Sequence, residues 1–185
     1  MMTQKTLFLS LLLMFCGNWA NAQKKQKHNK VIQWLSFAQL EKAMQQNPRY
    51  ILIEVETDWC VYCKMLDKAT LSKRKVAKVI NQYFYAVKLN AEHPQKIRFG
   101  GQVYPFMTQG NNQGIQGLAL ALKVQSYPTL VVLSPDYQVV HRHNGYIKAK
   151  KLAPILEFLG AEAYKTQSWK DFISIYKKKG EKRGE

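Results

Sequence analysis

The sequence predicts an α/β fold, a central mixed β-sheet with helices on both faces. Three observations predict it. Tyr50–Glu56 is a nearly continuous apolar run, as in a strand buried on both faces. A helical pattern follows it and leads into a second apolar run over residues 84–89, which makes a βαβ unit. Thr129–Leu133 and residues 138–143 then flank a Pro135-Asp136 turn and precede a helical pattern, which reads as a β-hairpin with a covering helix.

Each element has its own warrant. Ser36 followed by Gln39 forms a capping box for a helix Phe37–Gln46, whose apolar face is Phe37, Leu40, Ala43 and Met44. Asn47-Pro48 ends that helix. The next helix begins at Cys60, and Ser72 is placed to cap a second segment carrying Val76, Val79 and Ile80. Gly100-Gly101, between two short apolar runs, reads as a tight hairpin, and residues 109–114 as a loop. Residues 115–124 have apolar positions suited to a helix, as do 148–159. Residues 168–179 carry Trp169, Phe172, Ile173 and Tyr176 at helical spacing, a C-terminal packing helix.

The 185 residues suffice for one domain and its core. The first 22 read as an export signal. Lys5 gives a positive start, Leu7 to Phe15 a short apolar run, and Ala20-Asn21-Ala22 a cleavage site after Ala22. A lipoprotein alternative would use Cys16, but Phe15 stands where a small residue belongs. Residues 23–32 form a basic leader, 33–180 the domain, and 181–185 a tail. The formal charge of +16 is concentrated at the ends, in Lys24, Lys25, Lys27 and Lys30 and in Lys177, Lys178, Lys179, Lys182 and Arg183. Such runs are solvated tails or make weak contact with an anionic membrane. No nucleic-acid module is visible, and an exported chain gives no reason to expect that partner.

Cleavage at Ala22 removes Cys16 and leaves Cys60 and Cys63, two residues apart between a strand and a helix. A bridge closing so short a loop takes little entropy from the unfolded chain, so the pair makes a poor staple. A cysteine at a helix N-terminus can be held as a thiolate, with its neighbour one turn on as resolving partner. Zinc is the alternative, with His141 and His143 as the partners at hand. Their distance from the cysteines in sequence is not that of a small zinc module, so no metal is expected.

Asp58-Trp59-Cys60-Val61-Tyr62-Cys63-Lys64-Met65-Leu66-Asp67 and Ser126-Tyr127-Pro128-Thr129 resemble the thioredoxin superfamily. Within it they are similar to secreted thioredoxin-like proteins and the C-terminal domain of the disulfide reductase DsbD. The resemblance covers residues 50–159 and is weak over 92–123, an insertion before the proline strand. It implies Cys60 as the more exposed nucleophile and Cys63 as the resolving cysteine. It implies a cis Pro128 facing the dithiol, Tyr127 offering its backbone to an extended client, and Trp59 packing over the site. Glu54 becomes the buried acid beneath the dithiol, taking the Cys63 proton, with Lys88 beside it.

The departure from the family is Val61-Tyr62 between the cysteines. Without a cation there, a reducing or exchanging dithiol is expected rather than a strong oxidant, and Tyr62 becomes a client contact. The activity implied is thiol–disulfide oxidoreduction on protein clients, in the periplasm or a secreted setting. A membrane disulfide reductase is the implied electron donor, and there is no cofactor besides the Cys60–Cys63 disulfide. An oxidase or isomerase, and a non-catalytic thioredoxin-like binding module, are the alternatives.

Overall fold

The computed structural model describes residues 31–108, 110 and 114–181. The expected signal segment and most of the basic leader lie outside the described residues, as do most of the 109–114 loop and the end of the tail. Ile32, assigned to the leader by composition, is buried in the core, and Gln33 N–H donates to Asn81 Oδ1 at 2.9 Å.

Among the described residues the central sheet has five strands. β2 (Tyr50–Glu56) pairs in parallel with β3 (Phe84–Asn90), and β1 (Trp34–Leu35) adds to the far side of β3. β8 (Thr129–Leu133) runs antiparallel to β2, and β9 (Val139–Asn144) antiparallel to β8, so the order across the sheet is β1-β3-β2-β8-β9. One sheet face carries Leu52, Ala86, Leu130 and Val132. It is packed by α2 (Val61–Leu66), α3 (Arg74–Tyr83) and α5 (Ala149–Gly160) through Leu66, Val76, Ile80, Leu152 and Leu156. The other carries Ile51, Ile53, Val87 and Val131 under Leu40 and Met44 of α1 (Phe37–Gln46) and Leu118 of α4 (Gly117–Ala121). This is the mixed α/β architecture expected, with α6 (Trp169–Glu181) as the extra C-terminal helix, whose Trp169 meets Phe158 of α5 edge to face and whose Phe172 packs tilted against the same ring.

The α1 capping box forms as read: the Ser36 hydroxyl accepts from Gln39 N–H at 3.2 Å, and Gln39 Oε1 accepts from Ser36 N–H at 2.8 Å. Ser72 does not cap α3. Its hydroxyl turns back to the Lys68 carbonyl at 2.7 Å, because residues Asp67–Leu71 form a wide π-helical turn and α3 starts after Lys73. Gly100 and Gly101, at φ +59° and +77°, make the expected turn between β4 (Ile97–Phe99) and β5 (Gln102–Tyr104). The helix expected from residue 115 is shorter. β6 (Phe106–Thr108) pairs with β7 (Gly114–Gln116), and only then does α4 begin. Gln116 decides that boundary, since its side-chain oxygen caps Leu118 N–H at 2.6 Å while its amide nitrogen donates to the Gln95 and Tyr104 carbonyls.

Candidate active site: a disulfide over a buried acid

β2 ends at Glu56, and four residues later Cys60 caps α2. Cys60 and Cys63 are joined as a disulfide, and Cys60 Sγ accepts from the Cys63 N–H at 3.0 Å. A helix-start N–H thus points at the Cys60 sulfur. In the disulfide state both cysteines are buried, Cys60 at 4% exposure and Cys63 at 1%. The neighbours carry the exposed surface instead. Trp59 is 64% exposed, Val61 73% and Tyr62 61%, with Met65 beside them.

The Tyr127–Pro128 bond is cis, as expected. Val55 pairs with Thr129 across β2 and β8, which sets Tyr127 and Pro128 at the sheet end where β2 feeds the cysteines. The Trp59 and Tyr127 rings meet edge to face at 5.9 Å. Trp59 Nε1–H donates to the Glu92 carboxylate, 2.9 and 3.0 Å from its two oxygens. Asn90 Oδ1 accepts from Glu92 N–H, and Asn90 also donates to Asp58 at 2.8 Å. Glu92 was missed from sequence, where it was only the first residue of the insertion. The sequence carries no signal for this contact, since the N–H of an exposed tryptophan can be met by water.

Glu54 is fully buried on the face shared with Leu52. Its β3 neighbour in register is Lys88, whose Nζ stands 3.0 Å from Oε2 as an ion pair without hydrogen-bond alignment. The same ammonium lies 2.7 Å from Asp67 of the π-helical turn and 3.2 Å from Glu56, with the Trp34 ring 5.2 Å away. The Glu54 carboxyl is raised to about 8, chiefly by burial, with Lys88 opposing the shift and Asp67 and Glu56 adding to it. For Lys88, burial works against the charge, but the surrounding carboxylates outweigh it and hold the amine above its usual value. Oxygens of the three carboxylates lie within 4.8 Å of one another, and the Lys88 ammonium sits against all three. Glu54 and Lys88 were expected together from the sequence; Glu56 and Asp67 closing on the same ammonium were not. His141 and His143 sit half-buried on the edge strand β9, beside Val132 and Leu130, and the cysteines are bonded to each other.

A disulfide-linked cysteine pair at a helix start, a buried acid on the strand that leads to it and a cis-proline at the head of the neighbouring strand make this protein a thiol–disulfide oxidoreductase. The chain belongs to the thioredoxin-like family: residues 37–160 match the model of the thioredoxin-like domain. A thioredoxin from Thermus thermophilus is similar in fold, with a TM-score of 0.53 and 19% identity over 69% of this chain and 86% of that one. A thioredoxin-fold protein from Helicobacter pylori has a TM-score of 0.48 and 22% identity over 70% of this chain and 80% of that one. The oxidised C-terminal domain of Neisseria meningitidis DsbD has a TM-score of 0.44 and 19% identity over 68% of this chain and 95% of that one. No curated protein matches the sequence.

Proposed function

We propose that the protein is an exported thiol–disulfide oxidoreductase that reduces or exchanges disulfides in protein clients. The observation that carries this reading is the Cys60–Cys63 disulfide at a helix N-terminus, rimmed by exposed Trp59, Val61 and Tyr62 with no cation between the cysteines. In the reduced protein the Cys60 thiolate attacks a client disulfide. One client sulfur leaves as a thiolate and the other is held on Cys60. Cys63 gives its proton to Glu54 and attacks Cys60 Sγ. The Cys60–Cys63 bond forms, the second client sulfur leaves, and two electrons have passed from protein to client. Trp59 and Tyr62 provide an apolar floor for the segment around the client cysteine. Tyr127 offers backbone groups beside Pro128 to an extended client.

Recharging needs a dithiol donor, and for a periplasmic or secreted protein that donor is a membrane disulfide reductase. Export rests on the first 22 residues, which carry the pattern of a cleaved signal. Lys177, Lys178 and Lys179 near the end of α6 add attraction to an anionic membrane surface, where such a donor sits. The decisive experiment is the reduction potential of the Cys60–Cys63 couple together with turnover on a protein disulfide. A potential of about −270 mV with turnover supports the reductant, and one of about −120 mV overturns it in favour of an oxidase. Absence of turnover leaves a binding module. Cys63→Ser retains clients as mixed disulfides and identifies them.

A further inference from the structure

We propose that Glu56 is a positioning residue for the dithiol chemistry: by sharing Lys88 with Glu54 it keeps the ammonium from fully neutralising the buried acid, and so sets the pH at which Glu54 exchanges its proton with Cys63. The inference rests on the proposed role of Glu54 and adds a second acid to it.

The geometry is an unequal contest for one cation. Glu54 Oε2, Glu56 Oε2 and Asp67 Oδ2 lie 3.0, 3.2 and 2.7 Å from Lys88 Nζ. A lysine devoted to a single buried carboxylate would favour its ionised form. Here three carboxylates face one ammonium, and they differ in access to water. Glu56 is a quarter exposed and Asp67 more so, whereas Glu54 has no exposure. The cost of burying a charge therefore falls on Glu54, which burial drives toward its protonated form. Glu56 is two residues beyond Glu54 on β2, on the same side of the strand, and it also lines a groove of about 730 Å³ beside Lys88 and Asn90. It draws the ammonium toward that groove, as Asp67 draws it toward the helices. Burial of Glu54, with both acids adding to it, places its titration at about 8, close to a free thiol near 8.5, a match that suits proton exchange with Cys63.

Other charged groups surround the cluster without joining it. Glu41 of α1 accepts from Gly100 N–H at 2.9 Å and from the Tyr137 hydroxyl at 3.2 Å. His93, Lys96 and Arg98 line the groove, and no ion pair links them to the cluster among the described residues. His143 of β9 is separated from Glu54 by Leu130 of β8 in the sheet register, and Trp34 of β1 presents a neutral ring to Lys88.

The test uses the oxidised full chain with ¹³C-carboxyl glutamate, so that Glu54 titrates with no thiol and no client present. Glu56→Gln is expected to move the Glu54 midpoint down by about half a pH unit or more, because Lys88 then serves Glu54 more fully. Glu56→Asp, which keeps the charge, is expected to stay nearer the wild type. In the reduced protein the pH profile of Cys60 alkylation is expected to shift in the same direction for Glu56→Gln. That shift is expected to vanish in a Glu54→Gln background. A Glu54 midpoint unmoved by Glu56→Gln, with Asp67→Asn alone lowering it, overturns the role of Glu56. An alkylation shift that survives without Glu54 overturns the route through it. Both readouts are taken without a client, so failure to reduce protein disulfides would overturn the proposed function and leave this inference standing.

Discussion

On one face of the central sheet, Ile51, Ile53 and Val55 of β2 meet Val87, Leu89, Val131 and Leu133 beneath α1 and α4, with the uncharged Thr129 as the buried polar strand residue there. On the opposite face the same strands alternate Leu52 with Glu54 and Ala86 with Lys88, under helices that begin at the disulfide. Strand alternation allows this division, since successive residues point to opposite faces. The scaffold face can be tightly packed and indifferent to pH. The reactive face bears the cost of a buried acid, and in the proposed function that acid is the group that exchanges a proton with Cys63.

Substitution on each face tests the contrast. The largest effect is expected on the scaffold side. Ile53→Ala leaves a cavity among fully buried neighbours and is expected to cost about 2–5 kcal/mol. Urea unfolding at several pH values checks it, and a loss that changes between pH 5 and 9 would break the comparison. Glu54→Gln is expected to have the opposite sign. The folded-state titration of Glu54 is raised from the usual carboxylate range to about 8 by burial, so the native state binds a proton that the unfolded chain has released. The wild type therefore loses stability as pH rises from about 4.5 to about 8 and levels off above. Removing the charge restores about 1–3 kcal/mol at pH 9 and almost nothing at pH 4. Lys88 is not orphaned by the change, since Glu56 and Asp67 still hold it. Equal stability of Glu54→Gln and wild type at pH 9 would contradict a buried carboxyl that titrates late.

The scaffold was the more legible region because its signals are local. The capping box at Ser36 and Gln39, the apolar run of β2, the double glycine at Gly100-Gly101 and the helical spacing of Trp169, Phe172 and Tyr176 each formed the element they imply. Local signals failed where a partner distant in sequence decides. Residues 115 and 116 carry a pattern that suits a helix, yet with Gly114 from the expected loop they pair with β6, and Gln116 caps the shorter helix α4 instead of joining it. β1 is two residues long and exists only through its pairing with Ala86 and Val87. In the site, the family pattern led to Cys60, Cys63, Glu54 and Pro128. The resemblance could not supply Glu92, Glu56 or Asp67 as members of the site, because their contacts with Trp59 and Lys88 arise from tertiary register rather than from any motif.

The smallest expected effect concerns the exposed rim. Trp59→Phe keeps a ring to meet Tyr127 but removes the N–H that Glu92 accepts. One partly solvated hydrogen bond to a charged acceptor is worth about 0.5–1.5 kcal/mol, and at so exposed a position little of that reaches global stability. Its loss is expected to appear in binding. KM for a protein disulfide should rise a few-fold, on the order of 1 kcal/mol, while kcat and the rate with a small disulfide stay near wild type. Steady-state kinetics on both substrates separate the cases. If the small disulfide slowed as much as the protein client, Trp59 would be acting on the cysteines themselves, and the rim would belong to the reactive face rather than to client contact.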